Sequence, residues 1–182
     1  MSAWADALEH LRSQGVDVEP GLTDEEAAVA EQRAGVSFPP DLRTLLAQGV
    51  PVSDGFPDWR AESEVSLRSW MQAPVEGVLF DVEHNATWHE GWGERPEAPE
   101  QAVAVARSRL EQAPALIPVY KHRYLPAEPA EAGNPVLSVH QSDIIVYGND
   151  LASYLQVEFG APAAGEPAAA ARRIRLWSDL IL

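Results

Sequence analysis

The fold of this 182-residue chain depends most on the stretch 116–159. It reads LIPVYKHRY over residues 116–124, GNPVLSVHQSDIIVYG over residues 133–148 and NDLASYLQVEF over residues 149–159. Three short runs rich in β-branched and aromatic residues are separated by Gly, Pro, Asn and Asp, a pattern typical of antiparallel strands. The last segment predicts a helix. We therefore expect a sheet that leads directly into a helix.

Helical signals also come earlier in the chain. Thr23-Asp24-Glu25-Glu26 has the spacing of a capping box, and Gly35 suits the left-handed residue that ends a helix. Apolar residues at helical spacing predict further helices over 4–14, 40–48 and 99–112. The segments between the first helices, 16–21 and 50–61, have the composition of an extended connector and a loop.

The middle of the chain allows two structures. Residues 67–71 predict a short helix, and the four apolar residues that follow recur at i, i+3, i+4 and i+7, which favours a helix. Gly77 and the local Val and Phe content leave a strand open as well. The four apolar residues are Val75, Val78, Leu79 and Val82.

Taken together, these elements predict an α+β fold with an antiparallel sheet. We expect one domain over residues 1–182, because this length suits a single core. Residues 1–19 would form a helical extension, and residues 161–182 a linker followed by a docked tail.

Composition excludes several classes of protein. Hydrophobic residues make up 46 % of the chain and charged residues 23 %, which is ordinary for a globular protein. No apolar run has the length of a bilayer span, and the first residues do not have the pattern of a secretory signal. With no cysteine, disulfides and thiolate metal sites are impossible. We expect a cytoplasmic protein that contacts no membrane.

The formal net charge is −15, from 13 basic and 28 acidic side chains. Binding to nucleic acid or to an anionic membrane depends on basic groups, so this charge argues against both kinds of partner. Two interpretations remain open. The charge can serve solubility alone, or it can complement the surface of a basic protein partner.

No catalytic or metal motif emerges from the residues. Ser138, His140 and Asp143 resemble a triad on paper, but Ser138 and His140 on one strand face would lie about 7 Å apart, too far for direct proton transfer. The histidines His84 and His89 do not share a helical face, and zinc needs three or four converging ligands. We therefore expect no catalytic residue, no metal ligand and no cofactor, and the chain is predicted not to be an enzyme.

Residues 74–100 form the first candidate site. They carry seven acidic side chains and one basic side chain, a net charge of −6. Aromatic anchors within an acidic rim suit the recognition of a basic protein surface. The candidate contact residues, called here the acidic tryptophan surface, are Glu83, Trp88, Glu90, Trp92 and Glu94. The alternative is a solvated loop whose tryptophans pack inward.

A second candidate site is a polar cleft for a small ligand. Aromatic and basic residues cluster near 59–60 and 120–124, and a histidine follows on the next predicted strand. They could line a pocket, or form a rim of salt bridges with a structural role. The candidate residues are Trp59, Arg60, Tyr120, His122, Arg123 and His140.

The pattern resembles the SUKH superfamily, which comprises fungal SMI/KNR-type cell-wall assembly regulators and bacterial toxin-immunity proteins. The resemblance rests on the capped helix from Thr23, on residues 36–42 (VSFPPDL), on residues 116–119 (LIPV) and on residues 144–148 (IIVYG) with the helix that follows. Trp59-Arg60 and the GNP at 133–135 are similar to one bacterial branch.

The resemblance covers residues 20–160 and implies a SUKH-like α+β core with a twisted, mostly antiparallel sheet flanked by helices. It also implies a non-enzymatic protein that binds a protein partner. Bacterial members often neutralise a cognate toxin, frequently a nuclease or deaminase, and such a protein needs no active site. Because toxins that act on nucleic acid tend to be basic, an acidic chain is suited to cover one. The alternative function is a small-ligand-binding domain or an enzyme that uses the cleft described above.

Overall fold

The computed structural model describes residues 3–162 and 169–181. The helices in these residues are α1 (Ala3–Ser13), α2 (Asp24–Ala34), α3 (Pro40–Gln48), α4 (Glu64–His84), α5 (Pro99–Leu110) and α6 (Leu151–Phe159). The strands are β1 (Val18–Pro20), β2 (Gly49–Pro51), β3 (Leu116–Tyr120), β4 (Arg123–Pro126), β5 (Val136–His140) and β6 (Asp143–Gly148). The predicted α+β class is confirmed.

The strands form two antiparallel sheets. β3, β4, β5 and β6 follow one another in a four-stranded meander, and β1 pairs with β2 in a separate two-stranded sheet. The pairing within the meander shifts between Pro118 and Tyr120 and between Val136 and Leu137. The stretch 116–159 therefore forms the main sheet and the helix after it, as its sequence predicts.

The meander lies between two layers of helices, because successive side chains of a strand point to opposite faces. Ile117, Leu125 and Val136 belong to a core shared with α1, α2, α3 and α6. Their neighbours Leu116 and Tyr124 belong to a second core, which α4 and α5 complete from the other side. β3, β4 and β5 are thus largely buried on both faces, whereas Ile145 on β6 is 42 % exposed.

α2 begins and ends at the caps that its sequence predicts, and α6 begins with a box of the same kind. The Thr23 hydroxyl accepts a hydrogen bond from the Glu26 N–H (3.1 Å), and the Glu26 carboxylate accepts one from the Thr23 N–H (2.9 Å). Gly35 ends α2 in the left-handed region, at φ +71°. Asp150 and Ser153 form an equivalent box at the start of α6. Each box satisfies backbone donors that a helix start otherwise leaves unpaired.

The prediction of one strand over residues 116–124 was wrong, because the chain reverses there. Lys121 has a φ of +49°, and Tyr120 pairs with Arg123 across a two-residue turn. No Gly, Asn or Pro marks this turn. Contacts from elsewhere hold it: the Lys121 N–H donates to the Gly55 carbonyl (2.7 Å), and the Trp70 indole donates to the Lys121 carbonyl (3.3 Å).

The helix predicted at 67–71 and the helix favoured over 75–82 are parts of one longer helix, and the strand left open as the alternative does not form. One helix, α4, runs for 21 residues through Pro74 and Gly77. Proline removes a helical N–H, but burial of Leu67, Val78 and Val82 against the rest of the fold stabilises the helix. Nowhere in residues 3–162 and 169–181 is a helix, α4 included, both long and apolar enough to cross a bilayer.

The extended connector at 16–21 and the loop at 50–61 each contribute to a strand instead. Val18 pairs with Pro51, and Pro20 pairs with Gly49. The pairing of β1 with β2 therefore joins the segment after α1 to the end of α3. Strands of three residues are too short to produce an alternating pattern. The remainder of the loop carries Phe56 and Trp59, both of which are buried.

The C-terminal segment contacts the core on the α4–α5 side. Ile174 and Trp177 are buried, and the Trp177 indole N–H donates to the Pro114 carbonyl (2.8 Å). The predicted linker spans 161–169, and residues 163–168 of it lie outside the described residues. Residues 169–181 bring Asp179, Leu180 and Ile181 beside the acidic tryptophan surface.

Candidate functional site

The acidic tryptophan surface lies on the segment between α4 and α5. A short 3₁₀ turn spans Glu90–Trp92, and the His89 ring Nδ1 accepts a hydrogen bond from the Gly91 N–H (3.2 Å). The Trp88 indole N–H donates to the Gly93 carbonyl (2.7 Å). These hydrogen bonds link residues within 88–93, so the chain itself fixes the position of Trp88.

The two tryptophans differ in exposure. Trp92 is 7 % exposed and belongs to the core, whereas Trp88 is half-buried. Their ring centroids lie 5.3 Å apart at an interplanar angle of 86°, an edge-to-face arrangement that aromatic pairs favour. Trp92 thus packs inward, as the alternative for this segment expects, and Trp88 remains partly accessible beside it.

The carboxylates of the surface are open to solvent. Glu83 in the last turn of α4, Glu90 in the 3₁₀ turn and Glu94 after it are all exposed. Exposed carboxylates keep their hydration and their charge, so they contribute a negative potential around Trp88 rather than a structural bond.

Beside Trp88 the structure contains a cavity of about 320 Å³, called here the tryptophan cavity. Its walls come from three distant parts of the chain: the segment itself, the β5–β6 turn and the C-terminal segment. They include Trp88, His89, Trp92, Ser142, Asp179 and Leu180. Sequence reasoning missed Ser142 and Asp179, because nothing local links a turn residue and a tail residue to a loop some 50 to 90 positions earlier.

Asp81 holds one wall of this cavity in place. Its buried carboxylate accepts hydrogen bonds from the Ser142 N–H (2.9 Å), from the Ser142 hydroxyl and from the Asn85 amide (2.6 Å). Burial opposes ionisation, but the bonds from Ser142 and Asn85 outweigh it and hold the pKa of Asp81 below its ordinary value. One signal could have found it: Asp81 follows Val78 by three residues, so it lies on the buried face of α4.

The six residues of the predicted cleft make contacts with different elements. Trp59 is buried and packs edge-on against Phe38, with centroids 4.8 Å apart. The Arg60 guanidinium binds the Glu26 carboxylate (2.9 Å) and the carbonyls of Pro20 and Gly21 (both 2.8 Å). Arg60 therefore ties its loop to the start of α2 and to β1.

Replacing Arg60 with methionine is expected to lower the free energy of unfolding by about 1–2 kcal/mol, because charged hydrogen bonds to two carbonyls and a carboxylate are lost. Urea denaturation measures this difference. As a matched control, Arg68→Met removes only an exposed pair with Glu64 (2.7 Å) and should cost below about 0.5 kcal/mol. Equal effects of the two variants would contradict the structural role of Arg60.

The other residues of the predicted cleft gather at the β3–β4 turn. Arg123 lies over the Tyr147 ring (3.9 Å), approaches the Glu158 carboxylate (3.3 Å) and donates to the Ser138 hydroxyl (3.0 Å). The His122 and His140 rings lie 5.9 Å apart. Burial, together with Arg123 and His140, lowers the pKa of His122. Tyr120 packs between Phe56 and Phe159.

Ser138, His140 and Asp143 do not act together. Ser138 is buried opposite Ile145, where its hydroxyl accepts from Arg123, while His140 pairs across the hairpin with Asp143. Ser138 therefore does not lie on a solvent face of the hairpin; it sits on the central strand β5, between β4 and β6.

In residues 3–162 and 169–181, no three or more His, Cys, Asp or Glu side chains converge in a way that could hold a metal ion. The chain matches no protein-family model, and no curated protein and no solved structure matches it at a significant level. Membership of the SUKH superfamily stays a prediction from the residues quoted above.

Proposed function

We propose that this chain is a non-enzymatic protein-binding module whose acidic tryptophan surface covers a basic surface of a partner protein. The resemblance to the SUKH superfamily narrows the proposal to an immunity-type protein, with a cognate toxin as the partner. In this role the chain neutralises the toxin by covering its basic surface, which requires a complementary shape and charge but no catalytic residue.

The observation that carries the proposal is the position of Trp88. It is half-buried, packs edge-to-face against the buried Trp92 and lies on the same segment as the exposed Glu90 and Glu94, five residues after the exposed Glu83. Interfaces are commonly anchored by a few tryptophan, tyrosine or arginine residues, with polar groups around them that exclude water. An anchor already fixed by its own hydrogen bond to Gly93 loses little conformational freedom on binding.

Charge supports the same conclusion. A net charge of −15 speeds encounter with a basic protein, since complementary potentials steer association. It also opposes binding to nucleic acid, so the chain would compete with a nucleic-acid substrate for the basic site of a toxin without binding that substrate itself.

The alternative, a small-ligand cleft at Trp59, His122, Arg123 and His140, has less support. Arg60 and Arg123 are the cations that such a site would use, and both are already engaged by groups of this chain. A ligand would have to displace these bonds, and nothing in the contacts of the six residues compensates for that loss.

The proposal is tested by parallel capture from a lysate of the source cells at about 150 mM salt. The wild-type chain is expected to retain a basic protein in stoichiometric amount, and the triple variant Glu83→Gln, Glu90→Gln, Glu94→Gln to lose most of it. The control Glu9→Gln, Glu25→Gln, Glu128→Gln makes the same charge change at exposed positions elsewhere. Equal retention by the two triple variants would overturn the proposal.

A further inference from the structure

We propose that the tryptophan cavity receives an arginine side chain of the partner. The inference rests on the proposed function, because it names the group that the acidic tryptophan surface binds. It places recognition of one of the partner's positive charges in a single cavity rather than across the whole acidic tryptophan surface.

The first argument is the shape and chemistry of the walls. The cavity of about 320 Å³ is lined by the edge-to-face pair Trp88 and Trp92, of which Trp88 is the more accessible member. A planar guanidinium stacks on an indole face and keeps its N–H groups directed outward along its edge. Its three-carbon stem suits the apolar wall that Leu180 and Ile181 provide.

The second argument is the direction of the hydrogen bonds. The Trp88 indole N–H is already given to Gly93, and the Ser142 hydroxyl hydrogen is given to Asp81. The Ser142 oxygen can still accept, and the Asp179 carboxylate is an acceptor whose exposed pair with Arg173 an incoming group can replace. Acceptors beside an indole ring favour an occupant that brings its own donors and a positive charge.

The third argument is that Asp179, which lines the cavity, already pairs with a guanidinium of this chain. Arg173 forms an ion pair with Asp179, although the Arg173 side chain is 79 % exposed. The rim carboxylate therefore already selects a guanidinium, from the flanking tail. An exposed ion pair is worth little, so an incoming arginine that also stacks on Trp88 can replace Arg173.

The fourth argument is charge complementarity. Residues 74–100, which contribute the tryptophans, carry a net charge of −6. The negative potential of these residues repels an acidic side chain and gives a neutral one no advantage, whereas it attracts an arginine.

The experiment is an NMR titration of the full-length chain in which the indole N–H resonances of Trp88 and Trp92 are followed. The probe is the capped tripeptide acetyl-Gly-Arg-Gly-amide. The controls contain citrulline, a neutral isostere of arginine, or glutamate in its place. We expect the arginine peptide to shift both indole resonances in a saturable way and to bind about fivefold or more tighter than the citrulline peptide.

Variants separate the contributions. Trp88→Leu should abolish the saturable shift of Trp92, and Asp179→Asn should weaken binding about two- to fivefold. Arg173→Ala should strengthen binding by a similar factor, because it frees Asp179. The matched control Arg175→Ala removes another exposed tail arginine, which lies near Glu128 rather than Asp179, and should leave the affinity unchanged.

Equal affinity for the arginine and citrulline peptides would overturn the inference in favour of an apolar occupant, and preference for the glutamate peptide would overturn it in favour of an anion site. If neither Arg173→Ala nor Asp179→Asn changes the affinity for the arginine peptide, the Asp179 carboxylate does not contact the arginine, and the inference is contradicted. None of these outcomes changes the result of the capture experiment, which tests the proposed function. Conversely, if no basic protein is captured, the peptide titration still tests the arginine site on its own.

Discussion

Replacing Trp177 with alanine is expected to lower the free energy of unfolding by about 3–5 kcal/mol, the range for deleting a large buried aromatic side chain. Trp177 is 1 % exposed and belongs to the core that also contains Leu110 and Leu116. Its indole N–H satisfies the Pro114 carbonyl, which would lose its partner. Urea denaturation followed by circular dichroism measures the change.

The matched variant is Trp177→Phe. It keeps most of the apolar volume and removes the indole N–H, so it should cost roughly 1–2 kcal/mol. A free energy for Trp177→Ala within about 0.5 kcal/mol of the wild-type value would contradict the packing of the C-terminal segment against the core.

Replacing Asp81 with alanine is expected to cost on the order of 2–3 kcal/mol at pH 7, because the Ser142 N–H and the Asn85 amide would be left without their acceptor. The carboxylate is 5 % exposed, so water does not readily replace it. Glu83→Gln, two residues along the same helix but exposed, should change the free energy of unfolding by less than about 0.5 kcal/mol.

The contribution of Asp81 also depends on pH. Hydrogen bonds from Ser142 and Asn85, acting against burial, make its pKa lower in the folded than in the unfolded chain. Its stabilising contribution is therefore fully present above the ordinary aspartate pKa of about 3.9 and is lost as the pH falls through the folded value. The difference in stability between wild type and Asp81→Asn should shrink below pH 4. A difference that stays constant down to pH 2 would contradict this account.

Local signals explain which parts of the fold were predictable. The capping box at Thr23 lies within four consecutive residues, and Gly35 ends the helix through its own backbone preference. Short β-branched and aromatic runs between turn residues mark the strands of 116–148 as well. In contrast, the reversal at Lys121 depends on contacts with Gly55 and Trp70, which no local pattern reveals.

The candidate site divides in the same way. Glu83, Glu90 and Glu94 are exposed, and acidic residues near a tryptophan are visible in the sequence. The cavity beside Trp88 is not visible in the sequence, because Ser142 from a hairpin turn and Asp179 from the C-terminal segment complete its walls. For Arg60 and Arg123, sequence composition suggested a ligand site, but the structure pairs both with carboxylates of this chain.

The most direct test of the central claim, that Trp88 lies at the contact with a basic partner, is site-specific photo-crosslinking. The photoreactive amino acid p-benzoylphenylalanine is incorporated in place of Trp88 or, as a control, in place of Val65, which is 79 % exposed on α4. The two proteins are irradiated with the captured partner, and the products are resolved by mass spectrometry. We predict that position 88 crosslinks to a basic segment of the partner and that position 65 does not. Crosslinking from position 65 with none from position 88 would contradict the account.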